Sequence, residues 1–228
     1  MFVEDKGKTH CGAQVPGLES DEREVSMSQQ PMMADLQNLS PFTLNIKSLR
    51  LTEKQFEKLC RDNRDLRIEL TAEGELIVMP PTGSVTGWRN SKINYLIMQW
   101  TEKDGTGLCF DSSTLFTLPN GAKRSPDVSW IRRERWEALT RKEQDGFSPI
   151  CPDFVIELRS PTDSLSKLKL KMEEYLANGA LLGWLIDPRY QRVYIYRPGS
   201  PGECLENPQT VSGDPVLPGF VLRVPEIW

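Results

Sequence analysis

The 228-residue chain contains one histidine, His10, in a polar stretch near its start. That scarcity removes whole classes of chemistry. A Ser-His or Cys-His nucleophile, a histidine general base and a histidine-bound metal each need an imidazole beside the core. Paired cysteines are also missing: Cys11, Cys60, Cys109, Cys151 and Cys204 are odd in number and scattered, with no Cys-x-x-Cys. Neither a disulfide framework nor a zinc site fits them, and they read as small buried hydrophobes. No apolar run approaches the roughly 18 residues of a membrane span, and no signal-peptide pattern opens the chain. A cytoplasmic protein with no membrane partner is therefore expected. A Gly-x-x-x-x-Gly-Lys-Ser/Thr phosphate loop and a Gly-x-Ser-x-Gly elbow are absent as well. Any hydrolytic chemistry has to run on carboxylates, lysine and a metal held through oxygen.

An excess of basic charge is lacking too, since the formal net charge is −4. Seven of the 32 acids but only three of the 28 bases lie in residues 1–42, so the remainder of the chain is neutral. A neutral domain still binds nucleic acid if its bases cluster and a cation offsets its acids. Residues 1–42 are polar and aperiodic, which predicts a disordered tail in which Met27, Met32 or Met33 is an alternative start. Residues 43–228 show no shift in composition and suffice for a single domain with a substantial core.

Within that domain the periodicity changes repeatedly. Thr52 followed by Gln55 is a capping-box signature for a helix over about 52–63, with Leu51, Phe56, Leu59 and Cys60 as its stripe. Residues 66–70 and 75–79 alternate around Glu73-Gly74 and predict a hairpin. The Met79-Pro80-Pro81-Thr82-Gly83 run is a turn, because its prolines lack the N–H donors of a phosphate cradle. A helix follows from Ser84 or Trp88 to Glu102, with Ile93, Leu96, Ile97 and Trp100 at core spacing and Arg89 and Asn90 free to face a site. Short strands over 108–110 and 114–118, buried strands over 154–158 and 181–186, a hairpin partner over 192–197 and an edge strand over 220–224 complete the pattern. The order predicts an α/β (α+β) fold with a central mixed β-sheet flanked by helices.

Glu157 is the residue that needs explaining. It interrupts Phe154, Val155, Ile156 and Leu158, a run apolar enough for a strand buried on both faces. A carboxylate there needs either a structural ion pair with Arg or Lys or a divalent cation. Ser160-Pro161 ends the strand, and Thr162 or Asp163 is placed to cap the next helix. That helix carries Leu165, Leu168, Met172 and Leu176 on one face, with Tyr175 on its edge. Lys169 and Lys171 flank this face on opposite sides, and periodicity does not choose between them. Asp127 stands at the head of another strand, after Pro126. Two carboxylates on neighbouring strands plus one lysine form a minimal set for holding Mg²⁺ beside a phosphate. Glu69 is a weaker third-carboxylate candidate, set against the commoner reading of a solvent-facing strand acid. Lys123, Arg124, Arg132, Arg133, Arg135, Arg141 and Lys142 form the densest basic segment, readable as a phosphate-backbone surface or as a solvated loop and short helix around Trp136.

Pro126-Asp127, Pro152-Asp153 through Glu157 to Asp163, Lys171 through Tyr175, Asn178-Gly179-Ala180 and Gly183-Trp184 through Asp187-Pro188 together resemble the Uma-two family of putative restriction endonucleases. That family is abundant in cyanobacteria and belongs to the PD-(D/E)XK nuclease superfamily. The likeness covers about residues 45–228, and Glu69-Leu70 and Met79 through Gly83 also fit it. It implies a restriction-endonuclease-like fold and a Mg²⁺- or Mn²⁺-dependent endonuclease, a phosphodiester hydrolase acting on DNA, with a homodimer by family analogy. By the same resemblance Asp127 and Glu157 are metal ligands, joined by the Leu158 carbonyl, and Lys171 supplies the superfamily's lysine. The chain departs from the pattern in carrying Arg159 two residues after Glu157, where the superfamily has Lys, and Asn90 where many members have an acid. Arginine is a poor proton acceptor. These departures leave a rival reading, a nuclease fold with a decayed site that binds DNA or protein.

Overall fold

The computed structural model describes residues 41–228. The expected tail and its alternative starts fall outside the described residues, apart from the last two. Two sheets carry the fold. One is antiparallel throughout, in the order β1 (Phe42–Asn45), β3 (Glu75–Met79), β2 (Arg67–Leu70), β6 (Lys123–Arg124), β5 (Phe116–Thr117). The other is mixed, in the order β11 (Glu203–Glu206), β10 (Arg192–Tyr196), β9 (Leu182–Asp187), β8 (Phe154–Leu158), β7 (Val128–Arg132), β4 (Gly107–Asp111), and within it only β8 and β9 run parallel. A ribbon of β12 (Thr210–Ser212) and β13 (Val221–Arg223) lies near the C-terminus. The helices are α1 (Glu53–Asp62), α2 (Ser84–Asp104), the short α3 (Arg133–Glu137) and α4 (Arg141–Asp145), and α5 (Leu165–Ala177). The expected mixed sheet flanked by helices is present.

Local signals explain most element ends. The Thr52 N–H donates to Gln55 Oε1 at 2.9 Å and the Gln55 N–H to Thr52 Oγ1 at 3.4 Å, so the capping box opens α1 as the spacing predicts. Phe56 of α1 then packs on Ile68 and Leu76 of the five-stranded sheet. Helix α2 ends where Gly105 takes the left-handed conformation (φ 74°) and its N–H returns to the Thr101 carbonyl at 2.8 Å. Cys109 and Cys151 are buried as expected, whereas Cys204 is exposed because β11 is an edge strand.

Two expectations for α5 and one for the C-terminal segment need correction. Ser164 caps this helix, not Thr162 or Asp163; the Asp163 carboxylate is used three residues back, accepting the Ser160 N–H at 2.8 Å. Tyr175 is not at the edge of the apolar face but fully buried beneath it. The proline-rich C-terminal segment is more than loop and edge strand, since Leu217, Phe220, Leu222, Val224 and Ile227 cover the α2 side of the mixed sheet.

Strand alternation divides that sheet into two faces. Phe154, Ile156 and Leu158 of β8 join Trp184 and Ile186 of β9 against Ile93 and Ile97 of α2, while Val155 and Leu185 face Met172 and Tyr175 of α5. Glu157 shares the parity of Val155, so its side chain is directed to α5. Gly183 of β9 lets that helix lie close: a Cβ there would occupy the place of Met172 Cε. A second close approach is at Gly107, where a Cβ would fall inside the Trp130 indole. Gly107→Ala is therefore expected to destabilise the protein by about 1–3 kcal/mol, since the buried indole has to leave its position. Gly87→Ala, in open space within α2, is expected to stabilise by about 0.5–1 kcal/mol. Urea midpoints at constant m-value would read both signs.

Candidate active site

The pairing of β7 with β8 ends at Val128 opposite Ile156. Asp127 stands one residue before β7 and reaches the end of β8, close enough to Glu157 for the two charges to repel. Asp127 is held from two sides: the Leu158 N–H donates to its Oδ2 at 2.8 Å, and Asn90 of α2 donates through Nδ2 to its Oδ1 at 3.1 Å. It forms no ion pair among the described residues, and burial pushes its carboxyl above the ordinary range despite these hydrogen bonds. It also contributes to the lining of an open groove of about 400 Å³, together with Asn90, Ser91, Asn94, Tyr95 and Asp111.

Glu157 is met on one oxygen only. Lys171 Nζ stands 2.8 Å from Oε1, and the Tyr175 hydroxyl donates to the same atom at 3.0 Å. Oε2 accepts no hydrogen bond among the described residues. Burial is the main cause that pushes the Glu157 carboxyl up to about 7; Asp127 and Glu69 add to it, and Lys171 opposes it. Lys171 is itself shared, with Nζ 2.9 Å from Glu69 Oε1. Burial works against its charge, but Glu157 and Glu69 outweigh it and hold the ammonium above its usual range.

Glu69 is therefore not the solvent-facing strand acid that was the commoner reading. It is 2 % exposed and accepts the Ser125 N–H at 2.9 Å, Arg124 Nη1 at 3.2 Å and Lys171. Burial raises its pKa, and Lys171 and Arg124 more than reverse that, holding it below the usual carboxylate range. Alternation in β2 gave the clue, because Ile68 and Leu70 face the α1 core and so turn Glu69 the other way.

The choice between the two lysines is made by helix phase. Lys171, Glu174 and Tyr175, at i, i+3 and i+4, share a face of α5, and Glu174 Oε2 receives Arg124 Nε at 2.5 Å. Lys169 lies instead over the Tyr194 ring at 4.3 Å. Tyr175 is the site residue that sequence reasoning missed. Its ring reads as core, and only the fold shows a buried hydroxyl needing a partner.

Other expected placements fail for physical reasons. Lys123 and Arg124 are not part of a phosphate-contact surface: β6 lies between β2 and β5, both side chains are buried, and they pair with Glu53 and with Glu69 and Glu174. Arg135 pairs with buried Asp153 at 2.9 Å, and Arg133 and Arg141 lie near Glu137 and Asp145 one helical turn on. Arg89 donates to the Ile227 carbonyl at 2.8 Å and does not face the site. Arg159 is bound to Asp187 at 2.6 Å, across the β8–β9 register, so it does not neutralise Glu157.

Among the described residues no group of three or more His, Cys, Asp or Glu side chains is arranged to hold a metal. What the site offers is a two-carboxylate set. Its chemistry fits a hard divalent cation that keeps several waters, such as Mg²⁺ or Mn²⁺. Both carboxyls are pushed toward neutrality by burial, Glu157 keeps one oxygen free, and Asn90 Oδ1 is buried beside Asp127 without a partner.

The architecture is that of a nuclease-like α/β protein. A crystal structure of "a putative nuclease belonging to DUF820" from Anabaena variabilis ATCC 29413 superposes with a TM-score of 0.66 at 24% identity, covering 78% of this chain and 97% of that one. The Uma2 family, described as "putative restriction endonuclease", matches residues 53–225, and the chain belongs to that family. No curated protein matches the chain.

The raised Glu157 pKa makes a stability prediction for the metal-free protein. A carboxyl that binds its proton more tightly folded than unfolded stabilises the fold at low pH, and this contribution is lost as pH rises from about 4.5 through about 7. Between about pH 5 and pH 8 in chelator, the wild type is expected to lose more thermal stability than Glu157→Gln, compared by their melting temperatures. Equal losses would mean that Glu157 does not titrate in this range.

Proposed function

We propose that this protein is a Mg²⁺- or Mn²⁺-dependent endonuclease that hydrolyses DNA phosphodiester bonds by in-line attack of water. Asp127 and Glu157 are the residues that would hold the metal, and Lys171 is the residue that orients the nucleophile. The observation that carries this reading is that two carboxylates meet at the end of β8, Glu157 within it and Asp127 on the N–H of the next residue, Leu158, at 2.8 Å, with the Lys171 ammonium 2.8 Å from Glu157. Membership of a family described as putative restriction endonuclease supports it.

The bound cation would acidify a water and offset charge on the phosphoryl oxygens. The chain's own residues do the rest. Tyr175 and Lys171 fix Glu157 through Oε1, which leaves Oε2 without a hydrogen bond among the described residues. Asn90 and the Leu158 N–H fix Asp127 through one oxygen each. Lys171, kept protonated between two carboxylates, donates hydrogen bonds: it positions a water and stabilises negative charge on the phosphate, rather than taking a proton. Glu69 anchors the lysine from the far side. A homodimer, with one site for each strand, is the assembly this reading expects.

The rival reading, a decayed fold that binds DNA or protein, draws on the same contact: Lys171 already satisfies one Glu157 oxygen, and Asn90 brings no charge. Titration calorimetry of Mg²⁺ or Mn²⁺ into wild type and Glu157→Gln, with nicking of supercoiled plasmid on the same samples, separates the two. Wild type is expected to bind metal and nick, and Glu157→Gln to do neither. Lys171→Met is expected to keep metal binding while nicking falls by about 10²–10³-fold. A folded wild type that neither binds metal nor nicks would overturn the nuclease reading and leave Glu157 a structural partner of Lys171.

A further inference from the structure

Arg67 opens β2 two residues before Glu69, so the two side chains leave the same face of the strand. Ile68 and Leu70, between and after them, belong to the core against Phe56. Glu69 shows what the opposite face looks onto: Lys171, Ser125 and Arg124 at the carboxylate site. Arg67 is thereby directed to the same side of the five-stranded sheet, from the first residue of β2. Its charge is felt there, since it opposes the upward push of burial on the Asp127 carboxyl.

The other cations packed around the site are all engaged. Lys171 lies between Glu157 and Glu69, Arg124 between Glu69 and Glu174, Lys123 against Glu53 and Thr117, and Arg159 against Asp187. Arg67 has no ion pair and no hydrogen bond among the described residues, and its Nε is buried without a partner. Leaving a charged donor desolvated and unpaired costs free energy that a folded protein ordinarily recovers through a carboxylate or a carbonyl. Asp127, the carboxyl on which the Arg67 charge acts, is taken by Asn90 and Leu158, and the guanidinium remains uncommitted.

A planar guanidinium presents parallel N–H donors that match two oxygens of one phosphate, a fit a lysine ammonium cannot reproduce. The setting also calls for it: a polyanion approaching Asp127, Glu157 and Glu69 meets carboxylates first. We propose that Arg67 is the phosphate-binding residue of this site, its guanidinium holding the non-bridging oxygens of a backbone phosphodiester beside Asp127. The assignment rests on the nuclease reading for its catalytic consequence, but not for the contact itself.

The test is to follow the Arg67 Nε–Hε cross-peak in a ¹H–¹⁵N correlation spectrum of the metal-free protein, assigned by its loss in Arg67→Lys. The titrants are a short oligothymidylate and the same oligomer with uncharged methylphosphonate linkages. The expected result is a shift of this peak with the phosphodiester oligomer alone. A peak unmoved by it, or moved equally by the uncharged oligomer, would overturn the proposal. Repeating the titration on Glu157→Gln keeps the two readings apart. An Arg67 response that survives there marks a contact independent of the metal ligand, whereas an intact response in a wild type that neither binds metal nor nicks would sink the nuclease reading while the phosphate contact stands. In the active protein Arg67→Met is expected to lower nicking about 10²–10³-fold with Mg²⁺ bound at least as tightly as in wild type, because a positive charge has left the neighbourhood of Asp127. A loss of nicking matched by a loss of metal binding would instead mark Arg67 as merely supporting the fold.

Discussion

The ammonium of Lys171 is the tie on which the site depends. It reaches from α5 to Glu69 on the five-stranded sheet and to Glu157 on the mixed sheet, so one charge holds a helix and both sheets at a single point. Two buried carboxylates without it would each lack their chief counter-charge, a cost of several kcal/mol apiece in low dielectric. Arg124 repeats the device one layer out, joining Glu69 to Glu174. The helix is brought to this position by packing rather than by charge. Met172 fills the space left by Gly183, and Tyr175 sits wholly buried beside it with its hydroxyl on Glu157.

Around this tie the polar groups divide into closed and open sets. Arg135 with Asp153 and Lys123 with Glu53 and Thr117 are closed sets that join layers, and Arg159 meets one oxygen of Asp187 while the other is buried without a partner. The free oxygen of Glu157, the buried oxygen of Asn90 and the buried Nε of Arg67 lack a partner among the described residues, and Asp127 accepts two hydrogen bonds but pairs with no cation. Fully satisfied buried networks rigidify a fold, whereas polar groups left open together mark where something from outside is to be met. That these groups comprise two acids, an amide and an arginine is what suits them to a cation and a phosphate at once.

The fold was largely legible in the chain. The capping box at Thr52, the alternation around Glu73-Gly74 and the apolar runs at 154–158 and 182–186 are local signals, and each matches its element. Local reasoning failed where a side chain's environment is made by residues far away in sequence. Nothing around Lys123-Arg124 says that β6 lies between two other strands, and an Arg-Lys run therefore reads as surface. Glu69 looks like an ordinary strand acid until α5, about a hundred residues on, delivers Lys171 to it. Tyr175 reads as core, which is correct, and its hydroxyl's role appears only when β8 is laid beneath it.

By itself the sequence determined that no histidine chemistry, disulfide framework or cysteine-bound zinc was available, that Glu157 lies in a buried strand with Asp127 heading another, and that a lysine follows on a helix. Those facts depend on residue identity and on periods of two and 3.6, which act over a few positions. Only the tertiary structure decided that Lys171 rather than Lys169 meets Glu157, that Glu69 shares the lysine, that Arg159 is spent on Asp187 and that Arg67 is left without a partner. Each of these is a choice among charges of similar reach, settled by which strands lie side by side and by the phase with which one helix packs across them.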